Sequence, residues 1–108
     1  MTERYGMVIG LAPGQEEEYL RLHRSVWPQV EATLTAHGIR NYTIFRRAEL
    51  LFAYYEYVGQ DHDADLARIA QDPVTQKWWE LTDPCQQRLP DARPGEQWSR
   101  LEPVWHLD

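Results

Sequence analysis

Residues 39–58 read IRNYTIFRRAELLFAYYEYV, two runs of β-branched and aromatic residues separated by the short polar segment Arg47-Ala48-Glu49. Such residues favour a pleated, half-buried surface, and a connection this short joins antiparallel neighbours. The stretch therefore predicts a hairpin of residues 39–46 and 50–58, ended by Gly59. Alternation with period two puts Tyr42 and Ile44 on one face of the first strand, opposite Asn41, Thr43 and Phe45. In the second, Phe52, Tyr54 and Glu56 oppose Ala53, Tyr55 and Tyr57.

Working outward from the hairpin, Gly38 is a natural residue to close the helical pattern of residues 15–37, which opens on Glu16-Glu17-Glu18 at the positive end of its dipole. Pro28 removes one backbone hydrogen bond and crowds the preceding turn, so the helix should kink or break just after Trp27. Before it, residues 4–11 have the length and apolar content of a strand ended by the turn Ala12-Pro13-Gly14. After the hairpin, residues 61–71 form a short helix, and Asp72-Pro73 starts another that runs toward Pro84. Residues 89–97 are a proline- and glycine-bearing loop, and residues 98–107 close the chain as a strand in which Pro103 marks an edge or a bulge. The order strand, helix, strand, strand, helical segment, strand is an α+β, ferredoxin-like split βαβ arrangement, with an antiparallel sheet carrying its helices on one face. The other face needs a cover that one chain of this length does not supply. Tyr- and Trp-rich strands suit buried interfaces, so two sheets packed face to face in a homodimer are expected.

Composition narrows the function. At 108 residues the chain, residues 1–108, is expected to be a single domain with one core. A net charge of −6 argues against a nucleic-acid partner, which is met by clustered Lys and Arg. No apolar run is long enough for a membrane span, and the first residues lack a basic segment followed by a long apolar one, so a cytoplasmic protein is expected. Cys85 is the single cysteine and has no partner for a disulfide or a thiolate metal site. Five tryptophans and six tyrosines are the unusual feature; such rings fill cores or cover the apolar faces of sugars and other flat ligands.

The segment EYLRLHRSVWPQ, residues 18–29, places Tyr19, His23 and Trp27 at fourth-residue spacing, so one helical stripe would carry a phenol, an imidazole and an indole. These groups need hydrogen-bond partners if buried, which suits the wall of a polar pocket as well as a half-buried helix with one satisfied histidine. Trp78 and Trp79, adjacent on the second helical segment, point about 100° apart. Either one is core and the other pocket, or the pair straddles the edge of a cleft. His37 beside Gly38 fits a helix C-terminus. His62 lies in a charged stretch expected to be exposed, Cys85 reads as an inert, partly buried thiol, and His106 on the last strand is a secondary candidate for the pocket. No histidine pairs with a carboxylate at metal-ligand spacing, and no metal or organic cofactor is expected.

Five blocks in order, EYLRLHRSVWP, HGIRNYTIF, LLFAYYEYVG, DPVTQKWWELTDPCQ and the closing VWHLD, together resemble the L-rhamnose mutarotase family from the first strand to the last residue. The resemblance implies a dimeric α+β barrel enzyme that interconverts the α and β anomers of L-rhamnose without a cofactor. It implies His23 as proton donor, with Tyr19, Tyr42, Trp78 and Trp79 contacting the sugar. The chain departs from the family where the last strand has Pro103, Trp105 and His106 in place of glutamate, phenylalanine and tyrosine. A cofactor-free oxygenase on the same fold and a sugar-binding module without turnover are the rival readings. A titratable histidine facing the cavity separates an acid/base enzyme from a pure binder.

Overall fold

Residues 2–108 are described by a computed structural model. Strand β1 (Glu3–Leu11) is followed by α1 (Glu16–His23) and α2 (Pro28–Ala36), then by the hairpin β2 (Ile39–Arg47) and β3 (Leu50–Tyr57). Helices α3 (His62–Gln71) and α4 (Pro73–Thr82), a 3₁₀ turn (Asp83–Cys85) and the short strands β4 (Gln86–Gln87) and β5 (Ser99–Leu101) complete the chain. In the sheet β3 lies between β2 and β1, all antiparallel, and β4 and β5 share the other edge of β1. This is the split βαβ arrangement expected from the order of elements.

Local chemistry explains where the helices begin and end. The helix expected to break just after Trp27 breaks earlier: α1 ends at His23, and α2 starts at Pro28 after an extended Trp27 (φ −63, ψ 129), because a residue before proline avoids the helical region. Asp61 caps α3 by accepting from the Ala64 N–H at 3.2 Å. Asp72 caps α4 by accepting from the Thr75 N–H at 2.9 Å and the Thr75 hydroxyl at 2.8 Å, with Pro73 at the first helical position. Gly38 after α2 takes φ +88, a conformation that costs a side-chain-bearing residue energy. Among the described residues, no helix is long and apolar enough to cross a membrane.

Strand β3 alternates as expected. Leu51, Ala53, Tyr55 and Tyr57 are buried toward the helices, while Phe52, Tyr54 and Glu56 lie on the other face. Strand β2 does not alternate simply. Arg40 pairs with Glu56 and Thr43 with Tyr54, so Asn41 and Tyr42 together oppose Tyr55 in a β-bulge, with Asn41 at φ 51. Asparagine tolerates that region because its short side chain hydrogen-bonds locally; here its Nδ2 donates to Glu56 Oε1 at 3.0 Å. Ile39 faces the helices, and the extra residue returns Tyr42 and Ile44 to that same side.

The last strand differs from expectation. The residue pattern predicts one strand over 98–107, but pairing with β1 stops at Leu101, and Gln86–Gln87 supplies a second short piece of the same edge. Pro103 has no N–H to donate, and the residues beyond it leave the sheet with Val104 and Trp105 exposed. Strand β4 approaches β1 so closely that a Cβ on Gly10 would meet the Gln87 carbonyl oxygen at 2.8 Å.

Two buried clusters form between the sheet and the helices. One contains Ile9, Leu11, Tyr19, Leu22, Val30, Leu51, Trp78 and Cys85, and the other Ile39, Tyr55, Tyr57 and Ile69. Each large apolar side chain so buried contributes about 1.5–3 kcal/mol. The opposite face of the sheet, with Phe45 60% exposed and Leu50 and Leu101 also exposed, has no covering element among the described residues.

Candidate active site

Two adjoining cavities lie on the helical side of the sheet. The larger, about 640 Å³, is walled by residues from both buried clusters, among them Val30, Ile39, Tyr55, Ile69 and Trp78. The smaller, about 300 Å³, is walled by Tyr19, Thr82, Asp83, Gln86, Gln97 and Trp98 together with His23, Tyr42, Ile44, Trp78 and Trp79, and these last five line both cavities. All five residues singled out as a site from the sequence, Tyr19, His23, Tyr42, Trp78 and Trp79, therefore meet in one place, brought there by α1, β2 and α4.

On α1, one turn apart, Tyr19 and His23 stack with ring centroids 4.2 Å apart. His23 Nδ1 lies 2.9 Å from the Tyr19 carbonyl oxygen. A carbonyl only accepts, so Nδ1 carries the proton, and in the neutral ring Nε2 keeps its lone pair. Protonated, Nε2–H becomes a donor. The imidazole is thereby fixed in tautomer and orientation by the helix it ends, and the edge of Trp78, 5.4 Å between centroids, holds its other side. The expected stripe does not extend to Trp27: the break before Pro28 takes that residue off α1, and its ring packs edge-on against Trp78 at 5.4 Å.

The phenols are poor anions here. Burial pushes the Tyr19 hydroxyl up to about 12, against an opposing hydrogen bond from the Gln86 side chain. Tyr42, placed by the bulge, stacks on Tyr55 at 5.5 Å. As a residue it is 40% exposed, yet loss of solvent around its hydroxyl, with the Tyr19 phenol nearby, raises its pKa well above the ordinary tyrosine value. Both remain hydroxyls able to orient a polar ligand. Trp78 is 6% exposed and belongs to the larger buried cluster, whereas Trp79 is 38% exposed. The pair divides as adjacent helical residues must, one ring anchored in the core and one at the rim, while both touch the cavities.

Sequence reading missed part of this wall. Asp83, Gln86, Gln97 and Trp98 follow α4 and reach the smaller cavity only because the 3₁₀ turn and the split edge strand fold back beside α1. Gln97 Nε2 donates to Gln86 Oε1 at 3.1 Å, giving the cavity an amide pair suited to hydroxyl groups. The Trp residue at 98 and the Asp-Pro pair after α4 were visible signals, but nothing local tied them to His23.

The remaining histidines and the cysteine lie outside this constellation. His62, expected to be exposed, is buried: it stacks on Tyr5 with centroids 3.9 Å apart, and the Tyr55 hydroxyl lies 2.6 Å from its Nε2. Burial lowers its pKa, so it is a neutral imidazole accepting from the Tyr55 O–H. His106 lies on the exposed tail, 2.8 Å from Asp108 Oδ1, and lines neither cavity. Cys85 is fully buried with its thiol pKa raised by burial, an inert core group. His37 donates Nδ1–H to the Thr33 carbonyl at 2.8 Å, as a helix C-terminal residue. No group of three or more potential metal-ligating side chains occurs among the described residues.

Residues 4–107 match the family model described as L-rhamnose mutarotase. An L-rhamnose mutarotase of Opitutus terrae is 36% identical over 107 residues, 97% of this chain and 98% of that protein. One of Listeria monocytogenes is 36% identical over 94 residues, 85% of this chain and 88% of that protein. The crystal structure of an L-rhamnose mutarotase from Formosa agariphila superposes with a TM-score of 0.77 at 28% identity, covering 98% of this chain and 99% of the other. A type-II polyketide cyclase from Streptomyces glaucescens superposes with a TM-score of 0.68 at 16% identity over 98% of this chain and 99% of the other, a likeness of fold alone.

Proposed function

The chain belongs to the L-rhamnose mutarotase family, and we propose that it interconverts the α and β anomers of L-rhamnose by acid–base opening and reclosing of the pyranose ring. In this reading His23, protonated at Nε2, gives its proton to the ring oxygen as the bond from C1 to that oxygen breaks. A second group removes the proton of the anomeric hydroxyl, leaving a carbonyl at C1. Rotation about the C1–C2 bond presents the other carbonyl face, and the same proton transfers in reverse close the ring. Histidine suits this work because it gives and takes protons near neutral pH. The Tyr19 and Tyr42 hydroxyls orient the sugar, and the Trp78 and Trp79 rings cover its C–H faces and methyl group.

The observation that carries the reading is the imidazole of His23, with Nδ1 committed to the Tyr19 carbonyl and the ring at the junction of both cavities. Saturation-transfer NMR on L-rhamnose tests it directly. Catalytic amounts of protein should transfer saturation between the two anomeric proton signals at a rate proportional to enzyme concentration; a rate equal to that in buffer would overturn the assignment.

We assign the uncovered sheet face to a second copy of the chain, forming a homodimer with the two sheets packed face to face, and place the protein in the cytoplasm, where a single unpaired thiol is at home. Support for the dimer comes from the apolar character of that face: Phe45 on β2 pairs with Phe52 on β3, which pairs with Val8 on β1. Phe45→Lys would put a charge on the apolar face assigned to the contact, and losing an anchor there costs about 2 kcal/mol or more, roughly a 30-fold weaker dimer. Sedimentation at low micromolar concentration should show the unmutated chain as a dimer and the variant shifted toward monomer. An unmutated chain that sediments as a monomer would refute the assembly.

A further inference from the structure

The ring opening described above needs a group to accept the anomeric proton, and the smaller cavity narrows the choice. The titratable side chains on its wall are Tyr19 and His23 from α1, Tyr42 from β2 and Asp83 from the turn after α4. Tyrosine hydroxyls ordinarily titrate near 10, and these two are raised further by burial, so at neutral pH they donate and do not abstract. His23 is committed to the ring oxygen. Asp83 remains. We propose that Asp83 is the general base that takes the proton of the anomeric hydroxyl, lining the smaller cavity together with His23.

Asp83 is exposed as a residue, and two features of its surroundings bear on its carboxylate. It is the C-cap of α4, with φ −57 and ψ −43, at the negative pole of the helix where an anion is disfavoured. Asp61 and Asp72 use their carboxylates to cap helices, but the Asp83 carboxylate meets no donor among the described residues. Loss of solvent raises its pKa, and the helix pole acts in the same direction. Both make the group a better proton acceptor than an ordinary aspartate. Glu31, which lines the larger cavity, has a plain structural reason to be where it is: it stands in the first turn of α2, where a carboxylate is stabilised.

The proton count balances. Carboxylate Asp83 takes the hydroxyl proton as the C1–O1 bond becomes a carbonyl, and the electron pair of the broken ring bond goes to the ring oxygen, which takes the proton of His23. The intermediate state holds a neutral imidazole, a protonated Asp83 and the open-chain sugar. Closure on the other face returns both protons.

This inference rests on the activity and the His23 role assigned above, and the experiment separates them. Anomer exchange by NMR is measured for the unmutated protein, Asp83→Asn and Glu31→Gln across pH, with thermal unfolding of each. Asp83→Asn should lower the maximal exchange rate roughly 10²-fold or more, the contribution of a positioned base. KM should change little, and the midpoint of unfolding should hold or rise. The acidic limb of the rate profile should vanish, and Glu31→Gln should keep both limb and rate. Should Asp83→Asn not fold, Asp83→Ala with added formate decides the same question: exchange restored in proportion to formate supports the base, and exchange unmoved by formate overturns it. Full activity in Asp83→Asn with the acidic limb intact, or an equal loss in Glu31→Gln, also overturns the role of Asp83 alone. An inactive unmutated protein removes the assigned activity and this role with it.

Discussion

His23→Asn should remain folded and lose roughly 10²- to 10⁴-fold of the acceleration of L-rhamnose anomer exchange, the range attributed to a positioned acid/base group. In barrier terms that is about 2.7–5.4 kcal/mol, at about 1.36 kcal/mol per factor of ten. Asparagine can still donate to the Tyr19 carbonyl that His23 Nδ1 meets at 2.9 Å, so the end of α1 keeps its hydrogen bond. The stack on Tyr19 and the edge contact with Trp78 are lost. Aromatic pairs of this kind contribute about 0.5–1.5 kcal/mol beyond their buried area, a modest fall in stability beside the loss of rate. Sugar affinity should change far less than the rate, and the pH dependence contributed by the His23 imidazole should be present only in the unmutated protein. NMR exchange at several pH values, with binding measured separately, reads all three. A folded variant that exchanges at full rate would transfer the acid role to another group on the wall, Tyr19 first among them.

Trp78→Ala and Trp79→Ala should fail in different ways. Trp78 is 6% exposed and packs in the larger buried cluster with Leu22, Val30 and Leu51, so truncation leaves a cavity and costs about 3–5 kcal/mol. For a domain of this size that corresponds to a fall in Tm of well over about 10 °C. Trp79 is 38% exposed and its removal should cost about 1 kcal/mol or less, in line with partly exposed positions. In the proposed role of covering the sugar, its loss should register chiefly as a raised KM, since a ring at the rim of both cavities has little core packing to lose. Thermal unfolding and sugar titration of both variants decide the matter. Equal destabilisation with unchanged affinity would place both indoles in the core and remove them from the binding surface.

Much of the architecture is readable from local chemistry. The hairpin, the start of α2 at Pro28, the caps at Asp61 and Asp72 and the turn at Gly38 each depend on residues within a few positions of one another, and each occurs where those residues require it. The pairing of Tyr19 with His23 is readable for the same reason, since the 3.6-residue period is a local property. For Trp78 and Trp79 the same period says only that the two rings diverge; which of them is core depends on how α4 rolls against the sheet.

What lies beyond the sequence depends on segments that meet in space. Strand β4 is two glutamines with no strand signature, and it pairs only because Gly10 lets the edge of β1 come close. His62 has aspartates as sequence neighbours and nothing local that foretells its fate, yet Tyr5 from β1 and Tyr55 from β3 bury it between aromatic rings. Asp83 is an ordinary residue after a helix until the turn following α4 sets it on the same wall as His23, far from it in the chain. The side of the sheet that Tyr42 faces is the sharpest case. Simple alternation from Ile39, which faces the helices, would turn Tyr42 outward. The bulge at Asn41 adds one unpaired residue and turns it in, because a pleat of period two converts a single inserted residue into a change of face. Periodicity set which residues travel together along each element; the long-range pairing of strands and the packing of α4 decided which of them share a cavity.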